Sequence, residues 1–391
     1  MLHWALNLLQ MGLRMHNKKR DLRFDSLRGL MLVCMTINHL PSRLRFLTDE
    51  SIGLFSAAEG FVFLSGLLAG WIYTQKLRRE GPGALMEMCR SRATMIYRWH
   101  VGAFLACFIT VRMTCILFGF CSQNAPQLFY QNPLLAMLLG VTMLHQPGLL
   151  DILPLYCALV VALPFALRAL DAGRHLWVLG ISFALWFAVQ WAPPMDTISL
   201  YPINIGSFNL FAWQFLFFLG VVAGHARLDH SAPVIRPRFL LMAGAAAIAV
   251  FCWGAQHLGW RPPWSDHAFG VSINKPALGA LRLASFAVVA YLVALAGIRV
   301  PSLLRWPPLA FLGRHSLAVV ASQSVVAMFL LQFPALFATP ASDATVAVAA
   351  VGGLFVSAAV HEAWQRRGAL LGAGAPTQRS PSAEATLKPA G

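Results

Sequence analysis

"RFDSLRGLMLVCMTINHL", residues 23–40, sets an acid and two arginines ahead of a lipid-like run and closes that run on Asn38 and His39. Hydrocarbon rejects such groups, so the stretch raises two questions: what solvent the chain is built for, and where its polar chemistry sits. The whole sequence answers the first. Of 391 residues, 58% are hydrophobic and only 12% are charged, with a mean hydropathy of +0.63. That is the composition of a chain whose solvent is largely lipid. At about 20 residues per crossing, the length accommodates about ten spans joined by short loops.

The formal charge of +15 does not point to a nucleic-acid partner. The basic residues fall at span ends and in short loops, not on a soluble patch with interleaved aromatics, so membrane lipid is the expected partner. Seven cysteines are scattered, mostly in apolar segments, with no C-x-x-C or Cys/His cluster; they read as packing residues, and no metal site is expected. The first twenty residues lack the order of a secretory signal, because Lys18, Lys19 and Arg20 follow the short apolar stretch. The first helix is therefore expected to be retained.

Apolar runs near 27–44, 52–75, 96–120, 151–170, 175–191, 209–225, 238–257, 278–298, 309–333 and 343–363 predict an all-α polytopic membrane bundle of ten transmembrane helices. A further stretch, 131–147, is interrupted by Pro133, Gly140, His145, Gln146 and Pro147, and is predicted to be a short re-entrant or peripheral segment. The distribution of basic residues supports this count. With 131–147 not spanning, one face collects Lys18 to Arg23, Lys76 to Arg98, Arg168, Arg174, Arg227, Arg236, Arg238, Arg299, Arg305, Arg366 and Arg367. The loops of the other face near 121–150, 192–208 and 334–342 carry no Lys or Arg, leaving it only Arg43, Arg45, Arg261 and Lys275. Both termini are thus expected in the cytoplasm. Three regions follow: a cytoplasmic segment 1–22, an integral domain 23–365, and a tail 366–391 whose Gly, Ala, Pro, Ser and Thr cannot build a core.

His39 lies eleven residues beyond Arg28, about 16 Å along a helix, which places it in the outer half of the membrane. Glu59 falls about seven residues into the next span, running back from the outer side, so the two are expected at similar depth on antiparallel helices. A base and its orienting acid could meet there. Ordinary roles stand beside this one. An intramembrane histidine or asparagine also serves as a packing group, and Asp25 with Arg28 makes a helix cap with a snorkelling cation. Gly66 and Gly70 form a small-xxx-small face suited to close helix packing. No Lys or Arg lies in Glu59's own span to neutralise it.

Six blocks in order, "RDLRFDSLRGLMLVCMTINHLP", "FSAAEGFVFLSGLLAG", "YRWH", "DILPLY", "FNLFAWQFLFFLG" and "GRHSL", resemble the successive signatures of the OpgC family, from about Arg20 to Leu317. Those are membrane succinyltransferases of bacterial osmoregulated periplasmic glucans, related to the acyltransferase-3 group. The resemblance implies a multi-pass protein of the bacterial inner membrane that takes an acyl group from cytoplasmic acyl-CoA, a co-substrate and not a resident cofactor, and places it on a periplasmic glucan hydroxyl. Carried over by position, His39 is the catalytic histidine with Glu59 beside it; Asp25 and Arg28 match the motif of the first block. Asn38, His100, Arg314 and His315 are the other candidates for substrate contact, and Trp213, Gln214 and Ser316 match family blocks without assigned roles. The chain departs from the pattern at Asn38 and Ser56, where the family usually has acids. A succinyl donor has a free carboxylate and so implies a cation in the cavity, for which Arg28, Arg112 and Arg282 are the candidates; the basic stretch 76–98 would receive the CoA phosphates. An acceptor other than glucan, a transporter and a membrane scaffold are the alternatives.

Overall fold

The first helix begins where the sequence supplies a cap. Asp21 accepts a hydrogen bond from the Arg23 amide at 3.1 Å and holds the Arg23 guanidinium at 2.8 Å. From there α1 runs Leu22–Asn38. The computed structural model describes residues 21–119, 126–191, 199–228, 239–261 and 265–373, so the expected segment 1–22 lies almost wholly outside the described residues. The further helices are α2 (Arg45–Thr48), α3 (Ala57–Phe118), α4 (Leu128–Gln131), α5 (Pro133–Val141), α6 (Ile152–Asp171), α7 (His175–Trp191), α8 (Leu210–Ala226), α9 (Phe239–His257), α10 (Asp266–Ile273), α11 (Ala280–Arg299), α12 (Pro307–Arg314), α13 (Ser316–Leu330) and α14 (Pro340–Ala373). Two strands of two residues, β1 (Ser199–Leu200) and β2 (Ile203–Asn204), pair antiparallel between α7 and α8. The chain is mostly helical, as expected.

The expectation of ten spans is not supported. Among the described residues, α3, α6, α11 and α14 are long and apolar enough to cross a membrane, and a fifth span results if α12 and α13, bent by 87°, count as one. The reasons are physical. Helices α1, α7 and α8 have 17 residues each, about 25 Å of rise, short of a full crossing. The runs 52–75 and 96–120 both lie in α3, which is two helices meeting at a kink, and the basic stretch 76–98 between them is helical and not a loop. Its one interruption is Gly81, at φ +85°, followed by Pro82, which lacks the amide needed to continue the ladder. The run 309–333 is broken between Arg314 and Ser316. In the stretch 131–147, α5 has nine residues, too few to span. Helix α14 continues to Ala373, past the expected boundary at 365, and residues 374–391 lie outside the described residues.

Glycine sets a close crossing between α3 and α8. A Cβ on Gly66 or Gly70 of α3 would stand 2.1 Å from the carbonyl oxygen of Phe217 or Val221 on α8. Reciprocally, a Cβ on Gly220 or Gly224 would stand 2.3 Å or 2.0 Å from the carbonyls of Phe63 or Leu67. Four glycines therefore interlock the two backbones, the use expected for the "SGLLAG" face. Phe61, Tyr156 and Phe217 pack edge to face beside this crossing and join α6 to it.

Cys34, Cys89, Cys107, Cys157 and Cys252 are free thiols, consistent with packing, but Cys115 is disulfide-bonded, which corrects the reading of all seven as packing residues.

Gly66→Ala should lower the melting temperature of the purified protein in detergent, with a cost of about 1–3 kcal/mol, because its methyl meets backbone that cannot rotate away. An unchanged melting curve would show that the crossing has slack.

Candidate functional site

Helix α1 reaches a cavity at each end. Toward its start, Arg28 lines a cavity of about 430 Å³ together with Ser65, Tyr73, Arg92, Tyr156 and Ser316. Its Nη2 donates to Ser316 Oγ at 2.6 Å, and its guanidinium carbon lies 5.5 Å from the centre of the Phe61 ring. Arg92, from the basic stretch of α3, adds a second cation to a wall that is otherwise mainly apolar.

At the other end, His39 is the C-cap of α1, its amide bonded to the carbonyls of Met35 and Thr36. It lines a smaller cavity, about 120 Å³, with Arg45, Asp49, Ser56, Asp151 and Lys275. Its Nδ1 is buried and has no hydrogen-bond partner among the described residues. Asn38 explains why the loop beyond is ordered. Its carbonyl oxygen accepts from the Thr48 hydroxyl while its amide donates to the Thr48 carbonyl at 3.3 Å, tying α2 back to α1. Arg45 is held by Asp49 at 2.7 Å.

Two loops close the cavity. Asn204 N donates to Leu144 O and Gln146 N to Asn204 O, both at 2.8 Å, so the β-hairpin is pinned to the chain after α5. Asp151 Oδ2 then accepts from the Ser207 amide at 2.9 Å. Gly206, at φ +94°, is required here, since a Cβ would stand 2.3 Å from that of Asp151.

The pairing expected for Glu59 is corrected by the structure. Glu59 is fully buried, but its Oε2 accepts from the amide and hydroxyl of Ser56 in a capping box. Its Oε1 accepts from Arg282 Nε at 3.0 Å and Nη2 at 2.8 Å, and Arg282 also holds Glu50 at 2.7 Å. Both oxygens are thus engaged away from His39. The same ion cluster removes Arg282 as a free cation for a substrate.

The remaining candidates divide. Asp25 is buried where α1 crosses α12, its backbone carbonyl against Gly313, and it lines neither cavity. His100 is buried and bonded through Nε2 to the Gly140 carbonyl at 3.1 Å, docking α5 on α3 away from both cavities. Arg314 is exposed, with its guanidinium 5.9 Å from the Phe311 ring centre. His315 faces His361 across 3.1 Å between their Nδ1 atoms. Arg112 lines neither cavity. Trp213 is buried and donates to the Pro276 carbonyl at 3.0 Å, while Gln214 exchanges hydrogen bonds with Ser182. Among the described residues, no three His, Cys, Asp or Glu side chains are grouped to hold a metal ion.

Sequence reasoning did not single out Asp151, Asp49 or Lys275. Asp151 opens the "DILPLY" block, and Lys275 is one of four basic residues left on the face otherwise poor in charge. Both signals were present; neither located the residue beside His39.

A family model described as OpgC protein matches residues 20–367. No curated protein and no solved structure matches the chain.

Arg282→Met should leave Glu59 and Glu50 without their cation and destabilise the protein by about 3–5 kcal/mol, read as a loss of monodisperse protein and of melting temperature. Adding Glu59→Gln should restore part of that loss. If Glu59→Gln alone instead removes activity without touching stability, Glu59 belongs to the chemistry and not to the scaffold.

Proposed function

Because the chain belongs to the OpgC family, whose members are linked to modification of osmoregulated periplasmic glucans, we propose that it is an inner-membrane O-acyltransferase moving a succinyl group from cytoplasmic acyl-CoA to a glucan hydroxyl. The observation that carries this reading is the placement of two unlike cavities on one helix. Arg28 and Arg92 give the first a cationic character suited to an anionic donor, and His39, whose Nδ1 is buried with no hydrogen-bond partner among the described residues, lines the second. They lie about 16 Å apart along α1, a separation the thioester arm of CoA must bridge.

The chemistry follows from those groups. The acceptor hydroxyl attacks the thioester carbonyl carbon while the His39 imidazole takes its proton; the tetrahedral intermediate then collapses, the carbon–sulfur bond breaks, and the imidazolium returns the proton to the leaving thiolate. Asp151, which shares the cavity with His39 and makes no ion pair among the described residues, is the acid available to stabilise the imidazolium in place of Glu59, since Asp49 is paired with Arg45.

Orientation draws on two independent features. Basic residues concentrate at 76–98 in the middle of α3, which the positive-inside rule puts in the cytoplasm. Cys115, near the far end of α3, is disulfide-bonded, and such bonds persist in oxidising compartments like the periplasm. With this orientation His39 faces outward, and the basic residues Lys18 to Arg23, Arg366 and Arg367 favour the cytoplasm for both termini.

His39→Ala should lower succinyl transfer from succinyl-CoA to purified glucan by at least about 10²-fold, with melting temperature and detergent behaviour unchanged. Normal turnover would overturn the mechanism. In a cysteine-free background, Gln131→Cys should react with an impermeant maleimide in intact spheroplasts, and Arg90→Cys only after lysis; the reverse pattern would overturn the orientation.

A further inference from the structure

The cavity at His39 contains a cation that proton transfer does not require. Lys275 lies in the turn between α10 and α11, whose backbone is held in place by its neighbours. Three consecutive carbonyls of that turn are held by donors from other helices: Pro276 by Trp213 Nε1 at 3.0 Å, Ala277 by Gln190 Nε2 at 2.8 Å, and Leu278 by Trp186 Nε1 at 2.9 Å. Asn274 closes the turn by accepting from the Ala277 amide at 2.7 Å. The buried Trp213 and Trp186 thus act as clamps on a polar turn at the edge of the cavity.

The other charged groups there have partners. Arg45 is paired with Asp49, and Asp151 accepts from the Ser207 amide. Lys275 makes no ion pair among the described residues. The space is also small. At about 120 Å³ the cavity is less than a third of the one at Arg28, about 430 Å³, which favours a short acyl group. A small cavity with one uncommitted ammonium beside the reacting position suits an acyl group that is short and anionic.

We propose that Lys275 receives the free carboxylate of a dicarboxylic acyl group while the carbonyl carbon lies at His39, which makes Lys275 a specificity determinant. This rests on the acyl-transfer reading above and assigns to Lys275 the task that Arg282, committed to Glu50 and Glu59, cannot perform. A neutral acyl group of similar size leaves the ammonium unpaired in a confined site and is disfavoured for that reason.

The test compares wild type, Lys275→Gln and Lys275→Arg, each as full-length protein in detergent. With succinyl-CoA and acetyl-CoA as donors, the ratio of their kcat/KM values should fall at least tenfold in Lys275→Gln and recover in Lys275→Arg. A parallel loss for both donors, leaving the ratio unchanged, would overturn the proposal in favour of a structural role. Free succinate, titrated against thermal unfolding, should stabilise the wild type and not Lys275→Gln, with acetate as the control. Equal stabilisation of both proteins, or of neither, would overturn it as well. If the wild type turns over no thioester, the acyl-transfer reading fails, while the succinate titration still decides whether Lys275 holds a dicarboxylate.

Discussion

Backbone contact between α1 and α12 fixes the helix that carries Arg28 to one cavity and His39 to the other. A Cβ on Gly29 would stand 1.9 Å from the Leu309 carbonyl oxygen, and one on Gly313 the same distance from that of Asp25. Between lipid-solvated helices there is no hydrophobic force to draw faces together, so contact of this kind must come from shape and hydrogen bonding. Ser26 supplies the bonding: its hydroxyl donates to the Trp306 carbonyl and accepts from the Trp306 amide. Because α12 turns by 87° into α13, the same crossing delivers Ser316 to Arg28 and Gln323 to Thr36. Helix α1 is therefore held along much of its length, and the positions of Arg28 and His39 follow from that.

Buried charge is the second constraint. An ion in a low-dielectric interior needs a partner of opposite sign and filled hydrogen-bonding sites. Glu59 has both, from Arg282 and Ser56, and Arg282 in turn joins the start of α3 to α11 through Glu59 and Glu50. Glu59 looked available for catalysis because no cation stands in its own span. Its cation lies 223 positions further along the chain, and nothing in local pattern or spacing connects the two.

What could be read from residues is what depends on local composition. Lipid as solvent, helix as the dominant structure, the close-packing use of Gly66 and Gly70, and the shortness of 131–147 all follow from runs of residues near one another. The number of spans does not. It depends on whether a run stays straight, as α12 and α13 do not, or joins its neighbour, as the two halves of α3 do, and those outcomes are settled by packing. The candidate site divides along the same line. Arg28 and His39, on one helix with a computable spacing, do line cavities. His100, Asp25 and His315 were candidates because they match blocks of the family, and the structure places each of them in contacts between helices. Lys275 and Asp151 could not be placed beside His39, because loops far apart in sequence build that cavity.

The two departures from the family pattern now have structural reasons. Asn38 both accepts from the Thr48 hydroxyl and donates to the Thr48 carbonyl. An aspartate could do only the first, and would set a carboxylate against that carbonyl and near Asp49. Ser56 donates its hydroxyl to Glu59, where an aspartate would bring a second carboxylate against a buried one. Each substitution thus suits the loop or the cap in which it occurs, and neither is needed to explain His39 alone. The acids that remain in the histidine's own cavity are Asp49 and Asp151, and the cations are Arg45, paired with Asp49, and Lys275. A helix that closes on asparagine and histidine does so for two separate reasons: the asparagine folds the chain back over the helix end, and the histidine lines the space that the fold-back encloses.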